Sequence, residues 1–139
     1  MIIAEFAQSH LGKTSVLREM IRQAAESGAT YAKIQTFFAE DLAWDHEFNR
    51  LRNLELDWAQ HKFFVEECSK SGLVPMTSVY DFKYAEKLWG CGFRNVKIGS
   101  AQSTNEELIR KYVAMGFKVT MSTGGRDLKD IPKITPMFA

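Results

Sequence analysis

Long apolar runs are missing from this 139-residue chain. None approaches the ~20 consecutive apolar residues that a membrane-crossing helix requires, so no membrane partner is expected. Excess charge is missing too: 18 basic and 17 acidic side chains leave a formal net charge of +1. Lysine and arginine form no cluster, so no nucleic-acid partner is expected either. Cysteine is scarce. Cys68 and Cys91 fall in predicted helices, where they read as buried or half-buried thiols rather than as a disulfide framework. His10, His46 and His61 show no metal-ligand spacing, and no metal ligand is assigned in the chain. His61, inside a predicted helix, is expected at the surface. The G-x-G-x-x-G fingerprint is absent, which weakens a dinucleotide-binding reading. Glu5 breaks the apolar stretch at the start, so residues 1–9 do not form a signal peptide, and the chain is expected to be cytoplasmic.

What is present alternates. Hydrophobic residues make up 45 % of the chain, enough for a packed core. Short strand-like runs are predicted at Ile2–Phe6, Tyr31–Thr36, Leu73–Ser78, Phe93–Ile98 and Phe117–Met121. Between them lie segments of helical periodicity. Val16, Leu17, Met20, Ile21, Ala24 and Ala25 share one helix face, and Gly28 follows as a stop. Asp57 with Gln60 predicts a capping box. Asp81 is expected to cap the next helix, and Thr104 with Glu107 to form a second capping box. Residues 37–53 make a long connection, of the kind that is functional or holds a short helix. A last helix is predicted from Asp127, broken by Pro132 and Pro136. This β-α alternation implies a parallel sheet with crossover helices. Residues 1–139 read as a single domain or part of one, either a doubly wound sheet or a portion of a (β/α)8 barrel.

Chemistry collects at the predicted strand ends. Lys33 and Lys97 interrupt strands, where a buried cation is costly unless an anion or carboxylate receives it. Glu5, Gln35, Ser78, Ser100, Ser122 and Thr123 converge on the same end of the sheet. Two lysines and several hydroxyls suit phosphate and carboxylate groups, and the Ser122-Thr123-Gly124-Gly125 turn can add backbone N–H donors. A Schiff-base lysine of the aldolase type fits the spacing as well. His10, in the first strand-end loop, is the histidine kept as a site candidate. Trp44 and Phe48 read as loop packing.

These stretches together resemble the N-terminal half of the sialic acid synthase family, the phosphoenolpyruvate-dependent nonulosonate synthases. The matching residues are Ile2-Ile3-Ala4-Glu5, Ser9-His10-x-Gly12, Ala32-Lys33-Ile34-Gln35-Thr36, Leu54-Glu55-Leu56, Lys97-Ile98-Gly99-Ser100 and Ser122-Thr123-Gly124, in order along nearly the whole chain. The resemblance implies an α/β fold, the first five or so strands of a TIM-type (β/α)8 barrel. It implies condensation of phosphoenolpyruvate with an N-acylated aminosugar such as N-acetylmannosamine. It also implies a divalent metal, manganese or magnesium, whose ligands lie outside this chain. By family position Lys33, Ser78, Lys97, Ser100 and Ser122 would hold phosphoenolpyruvate. Gln35 would lie near the sugar and Glu5 near the metal and its water. The catalytic candidates are therefore Glu5, Lys33 and Lys97. The substrate-binding candidates are Gln35, Ser78, Ser100, Gln102, Ser122, Thr123 and His10.

Departures from the family pattern are Ser9, Thr77-Ser78-Val79-Tyr80, Gly125, and Ala101-Gln102 in place of glycine and an acid. An amide at 102 cannot take or give a proton as a carboxyl group does. Five strands of eight would leave two raw sheet edges and an apolar face. A missing C-terminal half, or association with another copy, is expected to cover them, and the isolated chain is expected to be inactive. Two other readings remain open: a non-catalytic anion-binding or assembly module, and a different phosphoenolpyruvate- or pyruvate-dependent aldolase-type barrel.

Overall fold

The computed structural model describes residues 1–42, 47–124, 127 and 129. Trp44, His46, Gly125 and nearly all of the helix predicted from Asp127 lie outside the described residues. The strands are β1 (Ile3–Ala7), β2 (Tyr31–Gln35), β3 (Val74–Val79), β4 (Asn95–Ile98) and β5 (Lys118–Met121). All are parallel, in spatial order β1-β2-β3-β4-β5. Sequential order in space is the barrel progression. A doubly wound sheet would reverse direction at a switch point, so the chain forms part of a barrel.

The crossover helices are α1 (Thr14–Glu26), α4 (Trp58–Lys70), α5 (Ala85–Cys91) and α6 (Glu106–Ala114). Two short helices, α2 (Ala39–Leu42) and α3 (Phe48–Arg52), occupy the long connection after β2. Helix α1 buries Leu17, Ile21 and Ala24, as its periodicity predicts. Helix α4 opens with the expected capping box between Asp57 and Gln60. Two other predicted caps differ. Helix α6 begins one residue later than Thr104 would place it, and Asn105 caps it by accepting from the Leu108 N–H at 3.0 Å. Asp81 instead accepts from the Lys83 N–H at 3.0 Å, turning the chain before α5 begins at Ala85. Pro75 is second in β3. Its ring faces the side where β4 has not yet begun, because that pairing starts at Met76, so no ladder bond is lost.

The period-two alternation of the strands sorts the sheet into two faces. Phe6, Ala32, Ile34, Val79, Val96 and Ile98 pack with Leu17, Phe64, Leu88 and Ile109 into one core under the helices. The opposite face carries no helix among the described residues. Its first layer is apolar: Ile3, Tyr31 and Val74. The next is mixed: Glu5, Lys33, Met76, Asn95 and Lys118. The last is polar: Gln35, Ser78, Lys97 and Thr120. The expected apolar open face is therefore graded from apolar to polar, because the strand interiors alternate rather than run continuously hydrophobic. Strand β1 ends in a bulge between Glu5 and Ala7, and Ala7 adopts a positive φ of 45°.

Candidate active site

Lys33, on β2, is 5 % exposed. Its Nζ lies 2.9 Å from Ser78 Oγ on β3 and forms an ion pair with the Glu5 carboxylate on β1. The other Glu5 oxygen accepts from the Ala7 N–H at 3.0 Å, so the bulge holds the carboxylate over the lysine. Three adjacent strands thus each contribute one group. A buried ammonium so neutralised avoids the several-kcal/mol penalty of an isolated ion. Lys97 stands beside Ser78 in register on β4. Half-buried, it has no hydrogen-bond or ion-pair partner among the described residues.

One step further round, Ser100 Oγ and Ser122 Oγ lie 2.7 Å apart. Ser100 opens a 3-10 turn after β4, and Ser122 follows β5. The Gly124 N–H points at Ser122 Oγ from 3.4 Å. A Cβ on Gly124 would come within 2.8 Å of Ser100 Oγ, so a larger residue here would turn the Ser100 hydroxyl away from Ser122. Thr123 is exposed beside them. Gln35 projects from the end of β2 on the same face as Lys33.

The structure therefore brings Glu5, Lys33, Gln35, Ser78, Lys97, Ser100 and Ser122 to the C-terminal ends of five parallel strands. Gln102 sits to one side, in a cleft of about 240 Å³ shared with Thr36, Tyr80, Asp81 and Tyr112. His10 is not part of the group. It is fully buried in the loop after β1, where Nδ1 accepts from the Gly12 N–H at 3.1 Å. Its Nε2 is buried without a hydrogen-bond partner among the described residues. Burial pushes the His10 imidazole pKa down, against a weaker upward pull from the Ala7 carbonyl.

His61 corrects an expectation. It is fully buried, because it lies on the stripe of α4 that also buries Phe64 and Cys68. Its Nδ1 lies 2.8 Å from the Asp57 carbonyl and its Nε2 2.9 Å from Thr36 Oγ1. Thr36 Oγ1 in turn lies 2.8 Å from Thr77 Oγ1. The sequence signal was the spacing: position 61 is three residues before Phe64 and seven before Cys68, one helical face.

Among the described residues, no three His, Cys, Asp or Glu side chains come together as a metal site. Glu5, the acid nearest the lysines, is engaged by Lys33. No helix among the described residues is long and apolar enough to cross a membrane.

Residues 20–138 match the NeuB family. The chain belongs to the NeuB family. It is 26 % identical over 147 residues to the N,N'-diacetyllegionaminic acid synthase of Campylobacter jejuni, covering 94 % of this chain and 44 % of that protein. It is 24 % identical over 148 residues to the human N-acetylneuraminate-9-phosphate synthase, covering 96 % of this chain and 41 % of that one. The fold superposes on the N-acetylneuraminic acid synthetase of Leptospira borgpetersenii, solved with citrate, at a TM-score of 0.87. That match has 24 % identity and covers 99 % of this chain and 49 % of the other. A more distant fold match is the DAHP synthase of Thermotoga maritima, at a TM-score of 0.69 and 15 % identity, covering 87 % of this chain and 33 % of that one. This NeuB-family chain spans less than half the length of the curated relatives named here, and its five strands are a partial barrel.

Proposed function

We propose that these residues form the phosphoenolpyruvate-binding half of a nonulosonate synthase, which joins phosphoenolpyruvate to an N-acylated aminosugar aldehyde. Lys97 carries the reading: a half-buried cation with no hydrogen-bond or ion-pair partner among the described residues, in register with Ser78 and on the strand that leads into the paired Ser100 and Ser122 hydroxyls. A ligand bearing both phosphate and carboxylate matches that donor set, with the Gly124 N–H as a further donor. Lys33 would join it by exchanging its Glu5 contact for a ligand oxygen, which would free the Glu5 carboxylate for a proton or a water at the reacting carbon.

The enol carbon of phosphoenolpyruvate attacks the aldehyde carbon, forming the new C–C bond while the aldehyde oxygen takes up a proton. Water adds to the phosphate-bearing carbon, and phosphate leaves with the C–O electron pair. The chain's own part is electrostatic: two ammonium groups hold the anion and accept charge as phosphate departs. Gln35 would face the acceptor sugar as an amide donor and acceptor, while Gln102, in its cleft to one side, would reach only a more distant part of the substrate. A divalent metal, expected from the resemblance, finds no ligand set among the described residues, so no step is assigned to one. Among the described residues the outer edges of β1 and β5 are unpaired, and closing the barrel takes further strands, from more of the same polypeptide or from a second copy.

Calorimetric titration with phosphoenolpyruvate tests the proposal. Binding is expected in the natural polypeptide, weakened at least tenfold by Lys97→Ala and abolished by Lys33→Ala with Lys97→Ala. Binding that survives the double substitution would overturn the site assignment. Borohydride trapping of a lysine adduct with pyruvate would favour the aldolase reading instead.

A further inference from the structure

The buried chain of hydrogen bonds behind the site has a direction. The Asp57 carbonyl can only accept, so His61 Nδ1 carries the hydrogen. Burial pushes the His61 pKa below its ordinary value, against smaller upward pulls from the Asp57 carbonyl and carboxylate, while nearby His10 adds to the lowering. The ring is therefore neutral and its Nε2 is an acceptor. Thr36 must donate to it, and Thr77 in turn donates to Thr36. Each donor of the chain then has an acceptor, and the Thr77 hydroxyl, with longer contacts to the Ile34 and Ser78 carbonyls at 3.4 and 3.3 Å, is held close to the Ser78 backbone itself.

Those threonines adjoin site residues. Thr36 follows Gln35, and Thr77 precedes Ser78. The Thr36 N–H also donates to the Ser78 carbonyl at 3.0 Å. Because successive side chains in a strand point to opposite faces, locking Thr36 and Thr77 on the helix side sets how Gln35 and Ser78 project on the other. Ser78 Oγ then holds Lys33 Nζ. Helix α4 does not need this network merely to dock. Its capping box, the bond from Gln60 Nε2 to the Gly12 carbonyl at 2.8 Å, and buried Phe64 and Cys68 already anchor it. An apolar residue at 61 would bury no imidazole, though it would leave the Thr36 hydroxyl without its acceptor. What a saturated buried network adds is a single geometry.

We propose that His61 is a positioning residue for the anion site, acting through Thr36 and Thr77 to set Gln35, Ser78 and, through Ser78, Lys33. The inference rests on the phosphoenolpyruvate reading for its ligand but not for its geometry. The test compares Thr36→Val, Thr36→Ser, Thr77→Val and His61→Leu in the natural polypeptide. It reads phosphoenolpyruvate affinity by calorimetry. Without ligand, it reads the Ser78 amide and Lys33 ε-methylene resonances by NMR.

Thr36→Val, which keeps the side-chain volume, is expected to shift both resonances and weaken binding about fivefold or more. Thr77→Val and His61→Leu should do the same, and Thr36→Ser should restore both readouts to within about twofold of the wild type. Unchanged resonances and affinity in a folded Thr36→Val protein would overturn the proposal, leaving the network as helix docking alone. Failure of Thr36→Ser to restore them would overturn it too, by pointing to the methyl group rather than the hydroxyl. Should His61→Leu not fold, Thr36→Val decides. If the wild type binds no phosphoenolpyruvate, the functional reading falls, and the ligand-free resonances still decide whether His61 positions Ser78 and Lys33.

Discussion

Strands β2 and β3 carry a buried polar cluster on each face, and the two are built to opposite rules. On the helix side, Thr77, Thr36, His61 and the Asp57 carbonyl form a neutral chain in which each donor has an acceptor. On the open side, Lys33, Glu5 and Ser78 form a charged cluster beside Lys97, which has no partner among the described residues. A closed hydrogen-bond account marks a group whose task is geometry. A cation left over among the described residues is what the proposed anion site would use.

The largest expected effect comes from closing the open side. Gly124→Ala puts a methyl group against Ser100 Oγ and should separate it from Ser122, lowering phosphoenolpyruvate affinity at least tenfold in titration while thermal stability changes little. Lys33→Met separates binding from folding. Removing one member of an ion pair is costly when the other is left buried, but the Glu5 side chain is 44 % exposed and water can solvate it, so the urea midpoint should change little while affinity falls about tenfold. A large loss of stability would mean that the ion pair serves the fold.

On the helix side the order reverses. His61→Leu leaves two buried threonine hydroxyls to satisfy each other, and about 2 kcal/mol of stability should be lost, read from urea unfolding. Acid should act there too. In the unfolded chain the imidazoles of His10 and His61 take up protons as pH falls through 6.5. The folded chain resists, so unfolding binds protons and stability declines from about pH 6.5 downward, until the lowered folded values are reached. The urea midpoint is expected to be lower at pH 5.5 than at 7.5, with His61→Gln flattening that difference. The Asp41 and Glu67 carboxyls, also held low, act only in the more acidic carboxylate range. The smallest effect concerns thiols. Burial pushes Cys68 up to about 12, and Cys91 is only half-buried. Cys91 should therefore react first with a disulfide reagent in the native protein.

Much of the open side was legible in the sequence. A lysine at the third position of two short strands is conspicuous, and alternation places it on one face with Gln35 and Ser78. The helix side was hidden because its members look ordinary. Thr36 and Thr77 read as strand formers, and His61 as a polar residue on an amphipathic helix. Only its place on the Phe64 and Cys68 stripe gave it away. The caps at Asn105 and Asp81 were misplaced for a related reason: several short polar residues stood side by side, and the choice depends on where the backbone first turns helical. What Gln102 faces was beyond reach from sequence, since the cleft around it is assembled from the loops after β2, β3 and β4.

The bulge in β1 has one more consequence. Unpaired strand edges invite other chains to add on, the first step toward cross-β aggregation. The two edges of this sheet are guarded differently. At β1, the bulge and the positive φ of Ala7 break the flat run of backbone donors after Glu5, and a charged side chain sits just before the break. At β5, only four residues long, Lys118 and Thr120 are exposed. A strand adding to either edge meets an interruption or a solvated charge within a few residues, so the pairings that close the barrel are restricted to few registers.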